Sequence, residues 1–129
     1  MLPSNDTKYL TERGVNHSVT SEANMTCVVF PDFCLPPGFD RAKSNLLLRF
    51  SPGYPDLAPD MWWFDPPVRR RDGQPIRATE VIERYLGRSW QRWSRHLTKG
   101  QWRSGVDGLE SFLALVRIEL ERSVQGAVQ

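Results

Sequence analysis

The chain has little sulfur chemistry to draw on: two cysteines in 129 residues, Cys27 and Cys34, and none beyond residue 34. A disulfide scaffold is excluded by so few, and both are read as free thiols with a buried, inert role. No stretch of the sequence approaches the ~20 apolar residues that a membrane-crossing helix requires, so no membrane association is expected. The opening Met1-Leu-Pro-Ser-Asn-Asp-Thr-Lys8 lacks the basic-then-apolar layout of a signal peptide, which makes the cytoplasm the expected compartment. A Gly-x-Ser-x-Gly nucleophile elbow and a Gly-x-x-x-x-Gly-Lys phosphate loop are both missing. Histidine is scarce as well: His17 and His96, with the two cysteines, have no recognised zinc-ligand spacing, so no metal and no cofactor is expected. Internal repeats and low-complexity segments are absent.

What is present fits one globular domain over residues 1–129, with 40% hydrophobic and 25% charged residues. The net charge of +2 conceals an uneven distribution. Residues 1–67 carry five Lys/Arg against eight Asp/Glu, residues 68–103 ten against three, and residues 104–129 two against four. The middle third is therefore strongly basic between acidic ends, which points to an acidic partner or an anionic ligand near it.

Hydrophobic patterning orders the elements. Asp6–Arg13 predicts a short helix, capped by Ser4, Asn5 or Asp6 and closed by Gly14. Val15–Val19 and Met25–Phe30, rich in β-branched and aromatic residues, predict two antiparallel strands around a turn. Asn45–Phe50 predicts a third strand and Met61–Phe64 a fourth. The connection between these last two holds Pro52, Pro55 and Pro59, each with fixed φ and no N–H, so it is a wide rigid corner and not a two-residue hairpin turn. Arg69–Pro75 reads as a polar loop, Thr79–Leu86 as a short helix ended by Gly87, and Trp90–Leu97 as a helical turn or an irregular loop. The last element is a helix: Asp107 and Glu110 have the spacing of a capping box, and Leu109, Phe112, Leu113, Val116 and Leu120 make one apolar stripe, widened by Leu115 and Ile118. Residues 123–129 are expected to fray.

His96 is the residue of the late loop with the clearest chemical potential, since imidazole serves as acid, base or nucleophile near neutral pH. Cationic neighbours Arg92 and Arg95 favour its neutral form. Ser94 supplies a hydroxyl two positions earlier. A hydrogen-bonded loop histidine, or one packed on Trp93, is the plainer reading. The five tryptophans, all between 62 and 102, read as packing residues.

The stretch Leu46-Leu-Leu-Arg-Phe-Ser-Pro-Gly-Tyr-Pro-Asp…Pro59 resembles the third strand and Tyr-Pro…Pro corner of ubiquitin-conjugating enzymes. Trp90-Gln-Arg-Trp-Ser-Arg-His-Leu97 and Trp102-x-x-Gly-Val-Asp-Gly-Leu109 are similar to patterns of the prokaryotic family E of that superfamily. The resemblance covers nearly the whole chain. It implies an α+β, UBC-like fold: an N-terminal helix, a four-stranded antiparallel meander, an active-site loop and a C-terminal helix packed on the sheet. Conjugating enzymes carry the ubiquitin C-terminus on a cysteine thiolate. Here the corresponding position falls at or near His96, and the His-Pro-Asn motif is missing, with Pro66-Pro67 and Gln74-Pro75 as its nearest echoes. Ordinary thioester chemistry at that place is thereby excluded.

The resemblance implies a component of bacterial ubiquitin-like protein conjugation, with a ubiquitin-like protein and its adenylating activating enzyme as partners. Ser94 and His96 are the candidate catalytic pair. Arg92, Arg95, Trp93, Trp102, Arg69, Arg70 and Arg71 are the candidate partner-binding residues, the arginines surrounding one active-site mouth. The alternative is an inactive scaffold that holds the ubiquitin-like protein or the activating enzyme. Nucleic-acid binding by the basic segment is a third reading, disfavoured because no groove-reading motif accompanies the charge.

Overall fold

The computed structural model describes residues 2–95, 97 and 100–125. The elements are α1 (Ser4–Glu12), β1 (Ser18–Glu22), β2 (Met25–Cys34), β3 (Lys43–Phe50), β4 (Met61–Asp65), β5 (Ile82–Tyr85), β6 (Arg88–Ser94) and α2 (Leu109–Ser123). The strands form one antiparallel sheet in the order β1-β2-β3-β4-β6-β5. The first four strands are the expected meander, but the sheet has six strands, not four. The predicted helix over Thr79–Leu86 is instead loop and strand β5, and most of Trp90–Leu97 is strand β6. Both hairpins at the sheet margins turn through two residues with positive φ, Ala23 and Asn24 in one, Leu86 and Gly87 in the other. That backbone matches the right-handed twist of the flanking strands. It also moves the first strand to Ser18–Glu22, a few residues later than Val15–Val19.

Strand alternation sorts the side chains. Val28, Leu46, Leu48, Phe50, Trp62, Phe64 and Trp93 point to one face, where they bury against Leu109, Phe112, Leu113, Val116 and Leu120 of α2. Leu115 packs on the edge of this core, whereas Ile118 is exposed and does not widen the stripe. The opposite face carries a smaller cluster, Cys27, Leu47, Trp63 and Trp90. Cys27 is buried as expected; Cys34 is exposed, because it ends β2 beside Lys43, past the bulge that follows Phe30.

The start of α2 is capped differently from the sequence expectation. Gly108 occupies the cap position, and the Ser111 hydroxyl bonds its N–H and its carbonyl, both at 3.0 Å. Asp107 turns the other way and accepts from the Arg103 N–H at 2.6 Å. The Leu109 N–H donates instead to Asp6 Oδ1 of α1 at 3.0 Å. A Cβ on Gly108 would stand 2.9 Å from that oxygen, so glycine permits the approach. Tyr54, from the proline corner, donates its phenol to Asp6 Oδ2 at 2.6 Å. One carboxylate thus ties α1, the corner and α2 together.

Burial, reinforced by the hydrogen bond to Asp6 and its charge, pushes the Tyr54 phenol far above its ordinary value of 10.0. The folded state keeps a proton that unfolded Tyr54 releases near pH 10. This contribution to stability is therefore intact below that pH and lost as pH rises above it. Urea denaturation should show stability falling more steeply above pH ~10 in the wild type than in Tyr54→Phe. Equal slopes would mean that Tyr54 titrates as a free tyrosine does.

Candidate functional site

Ser94 is the last residue of β6 and pairs with Met61 at the start of β4. Because Trp93 points into the core, alternation turns Trp90, Arg92 and Ser94 toward the other face of the sheet. Ser94 is half-buried, and its N–H donates to the Ala78 carbonyl at 3.1 Å. No described residue is hydrogen-bonded to its hydroxyl. His96, the other member of the candidate pair, lies outside the described residues.

The residues on either side of Ser94 are held tightly. Trp93 is fully buried, and its indole N–H donates to Gln91 Oε1 at 3.0 Å. Arg95 is 5% exposed. Its Nε meets Glu119 Oε1 of α2 at 2.9 Å, and its Nη1 donates to the carbonyls of Arg77 and Ser94, each at 2.8 Å. Burial, then the charge of Arg77, lowers its pKa, and Glu119 opposes that shift. Trp93 and Arg95 therefore give no surface to a partner; they fix the end of β6 against the helix.

Trp102 is half-buried on Tyr54 and Phe112, with ring centroids 6.3 Å away in both cases, and its indole N–H donates to the Pro55 carbonyl at 2.8 Å. It holds the segment after β6 against the proline corner. The Ser104 hydroxyl donates to Asp56 in a second link between these two loops. From the linked loops Leu57 and Val106 project outward, 64% and 65% exposed.

The arginines do not surround one mouth. Arg69, Arg70 and Arg71 follow β4 at its Asp65 end, and Arg88 pairs with Asp65 there at 2.7 Å. Arg92 and Arg95 belong to the Ser94 end. Most are ion-paired: Arg70 with Asp72 at 2.6 Å, Arg92 with Glu83 at 3.4 Å, Arg95 with Glu119. The Arg70 guanidinium, bonded to Asp72, holds that carboxyl below its ordinary range. Arg69 and Arg71 are exposed and in no ion pair among the described residues.

Cys34 cannot stand in for a missing thiol near Ser94. It pairs with Lys43, at the end of β3 away from the corner, and the eight residues of β3 separate that end from Phe50. At ~3.3 Å per residue the seven steps from Lys43 to Phe50 span ~23 Å. Among the described residues, no group of three His, Cys, Asp or Glu could hold a metal ion. No helix among them is long and apolar enough to cross a membrane.

One cluster escaped sequence reading. Arg49, Trp63, Glu83, Tyr85 and Arg92 meet on the outer face of the sheet. Arg49 gives a faint local signal, a cation between the buried Leu48 and Phe50 of an otherwise apolar strand. Tyr85 and Glu83 give none, because their strand is itself unexpected.

Residues 2–123 match the family model described as Prokaryotic E2 family E. No curated protein and no solved structure matches the chain.

Proposed function

The chain belongs to prokaryotic E2 family E, and from that premise we propose that it works in bacterial ubiquitin-like protein conjugation with the Ser94 hydroxyl, assisted by His96, in place of a cysteine thiol. One observation carries this reading. Ser94 ends a strand between two immobilised neighbours, and its hydroxyl is committed to no described partner. A nucleophile needs that combination of fixed position and free lone pairs.

The chemistry is acyl transfer. Ser94 Oγ attacks the activated C-terminal carbonyl of a ubiquitin-like protein, held as an adenylate or thioester by its activating enzyme. The Oγ–C bond forms, the bond to AMP or to sulfur breaks, and the hydroxyl proton passes through His96 to the leaving group. An oxyester reacts more slowly with amines than a thioester does. His96 then removes a proton from the incoming amine, the amide forms, and Ser94 Oγ leaves and regains its proton. General-base help of this kind is worth ~10²–10⁴ in rate.

The test uses the purified chain with the activating enzyme, ATP and the ubiquitin-like protein. An adduct is expected that resists thiol reductant, is cleaved by mild hydroxide, disappears in Ser94→Ala and forms ~10²–10⁴ more slowly in His96→Gln. An adduct that persists in both variants defeats the catalytic assignment, and loss in Cys34→Ser moves it to the far end of the sheet.

A scaffold is the second reading, favoured by the exposed Leu57 and Val106 on two loops bonded to each other. Trp102 braces that surface, and Arg69 and Arg71 are free to meet an acidic partner. Stoichiometric binding of the ubiquitin-like protein or the activating enzyme without an adduct would select it.

A further inference from the structure

The sheet face turned away from α2 carries a hollow of about 350 Å³ beneath the proline corner. Strand alternation builds its floor. Leu47 pairs with Trp63 on this face, and Arg49, two residues beyond Leu47, takes the next place. Its guanidinium carbon sits 3.7 Å from the centre of the Tyr85 ring and 6.0 Å from that of Trp63. The two rings meet edge to face at 5.4 Å.

Arg49 differs from the other arginines of this region. Arg88, Arg92 and Arg95 each have a carboxylate. Arg49 is in no ion pair among the described residues, and its Nε, like that of Arg92, is buried without a hydrogen-bond partner there. Glu83, which lines the hollow, is already committed: it accepts from the Trp63 indole N–H at 3.0 Å and from Arg92 at 3.4 Å. A guanidinium held against aromatic rings and in no ion pair is ready for a planar oxyanion.

We infer that this hollow is a carboxylate-binding pocket in which Arg49 receives the C-terminal carboxylate of a short apolar peptide segment. Charge counting selects the ligand. Glu83 is spent on Arg92 and on the Trp63 indole, which leaves Arg49 as the lining cation in no ion pair among the described residues. A monoanion pairs with that guanidinium, whereas the second charge of a phosphate finds no free cation there and meets the repulsion of Glu83 and Asp60. Leu57, Pro59 and Met61 complete the wall, giving the residue that bears the carboxylate an apolar surface to lie against. The pocket does not depend on Ser94 chemistry, and its test is separate.

The full chain is titrated with acetyl-Ala-Leu carrying a free carboxylate, with the same peptide amidated, and with inorganic phosphate. Nuclear magnetic resonance follows the Arg49 Nε–Hε and Trp63 indole N–H signals. Saturable shifts are expected with the free acid, with Kd on the order of millimolar. Binding should weaken ~10–100-fold with the amide and in Arg49→Gln, the worth of a charge-assisted bidentate contact. Arg49→Lys should retain part of it, and Arg88→Gln, outside the hollow, all of it. Circular dichroism melting confirms that each variant folds. Equal shifts from the amide, unchanged binding by Arg49→Gln, tighter binding of phosphate, or no saturation by any probe would each overturn the inference.

Discussion

Trp93→Ala should destabilise the fold by about 3–5 kcal/mol, a large share of the ~5–15 kcal/mol that holds a domain of this size together. The indole lies at the centre of the aromatic core. Its ring centroid is 5.7 Å from that of Phe64 and 6.2 Å from those of Phe39 and Trp62. Truncation to alanine leaves a cavity that strands on both sides and α2 can only partly close. A polar loss adds to the apolar one. The indole N–H donates to Gln91 Oε1, which also accepts from the Val68 N–H at 2.8 Å, while Gln91 Nε2 donates back to the Val68 carbonyl at 3.0 Å. Gln91 thereby bonds the loop after β4 as a strand backbone would. Trp62 is the control. It is as fully buried, but its indole nitrogen has no hydrogen-bond partner among the described residues. Trp93→Phe should therefore cost ~0.5–1.5 kcal/mol more than Trp62→Phe, the net worth of one hydrogen bond, because Gln91 Oε1 keeps the Val68 N–H. Chemical denaturation of the three variants measures the difference; equal costs for the two phenylalanine substitutions would show that the Gln91 clamp does not need the indole.

Asp6→Ala should cost ~2–4 kcal/mol although it deletes little buried carbon. The estimate combines loss of a helix cap, ~0.5–2 kcal/mol, with a Tyr54 phenol left without its acceptor, ~1–3 kcal/mol. Asp6→Asn keeps an oxygen for the Leu109 N–H and should recover about half of the loss. Hydrogen exchange gives the diagnostic readout. Amides in the first turn of α2 should lose protection in Asp6→Ala beyond the global change, because the cap acts there and not at the far end. Uniform loss of protection along α2 would make Asp6 a packing residue and not a cap.

The same cap shows where sequence reading reaches its limit. The apolar stripe of α2 is local information: five residues at helical spacing had to share a face, and all five are buried. The cap residue is not local. Asp107 and Glu110 have the right spacing for it, yet the carboxylate that meets Leu109 comes from a position 103 residues earlier. Nothing in the neighbourhood of Gly108 encodes that oxygen.

Strands β2, β3 and β4 were legible because both the apolar content and the flanking proline turns lie within each segment. The β5–β6 hairpin was not. Ile82-Glu83-Arg84-Tyr85 is short, lies at the sheet edge and has one mostly polar side, so its alternation is easily read as a helical turn. Its turn puts Leu86 at φ 55°, a conformation leucine does not advertise. Of the candidate site, Ser94 was singled out from its place in the chain, whereas the burial of Trp93 and Arg95 required the register of β6 against β4 and the Glu119 partner on α2.

By itself, then, the sequence determined the family, the closing helix with its buried stripe, the rigid corner and the lack of a cysteine where one is customary. Those are properties of residue type and short spacing. The tertiary structure alone decided which arginines are spent on carboxylates and which are left over, which face Ser94 shares, and which acid caps α2. Each of these is a contact between segments distant along the chain, and a contact of that kind is set by which faces pack together, not by the residues on either side of it.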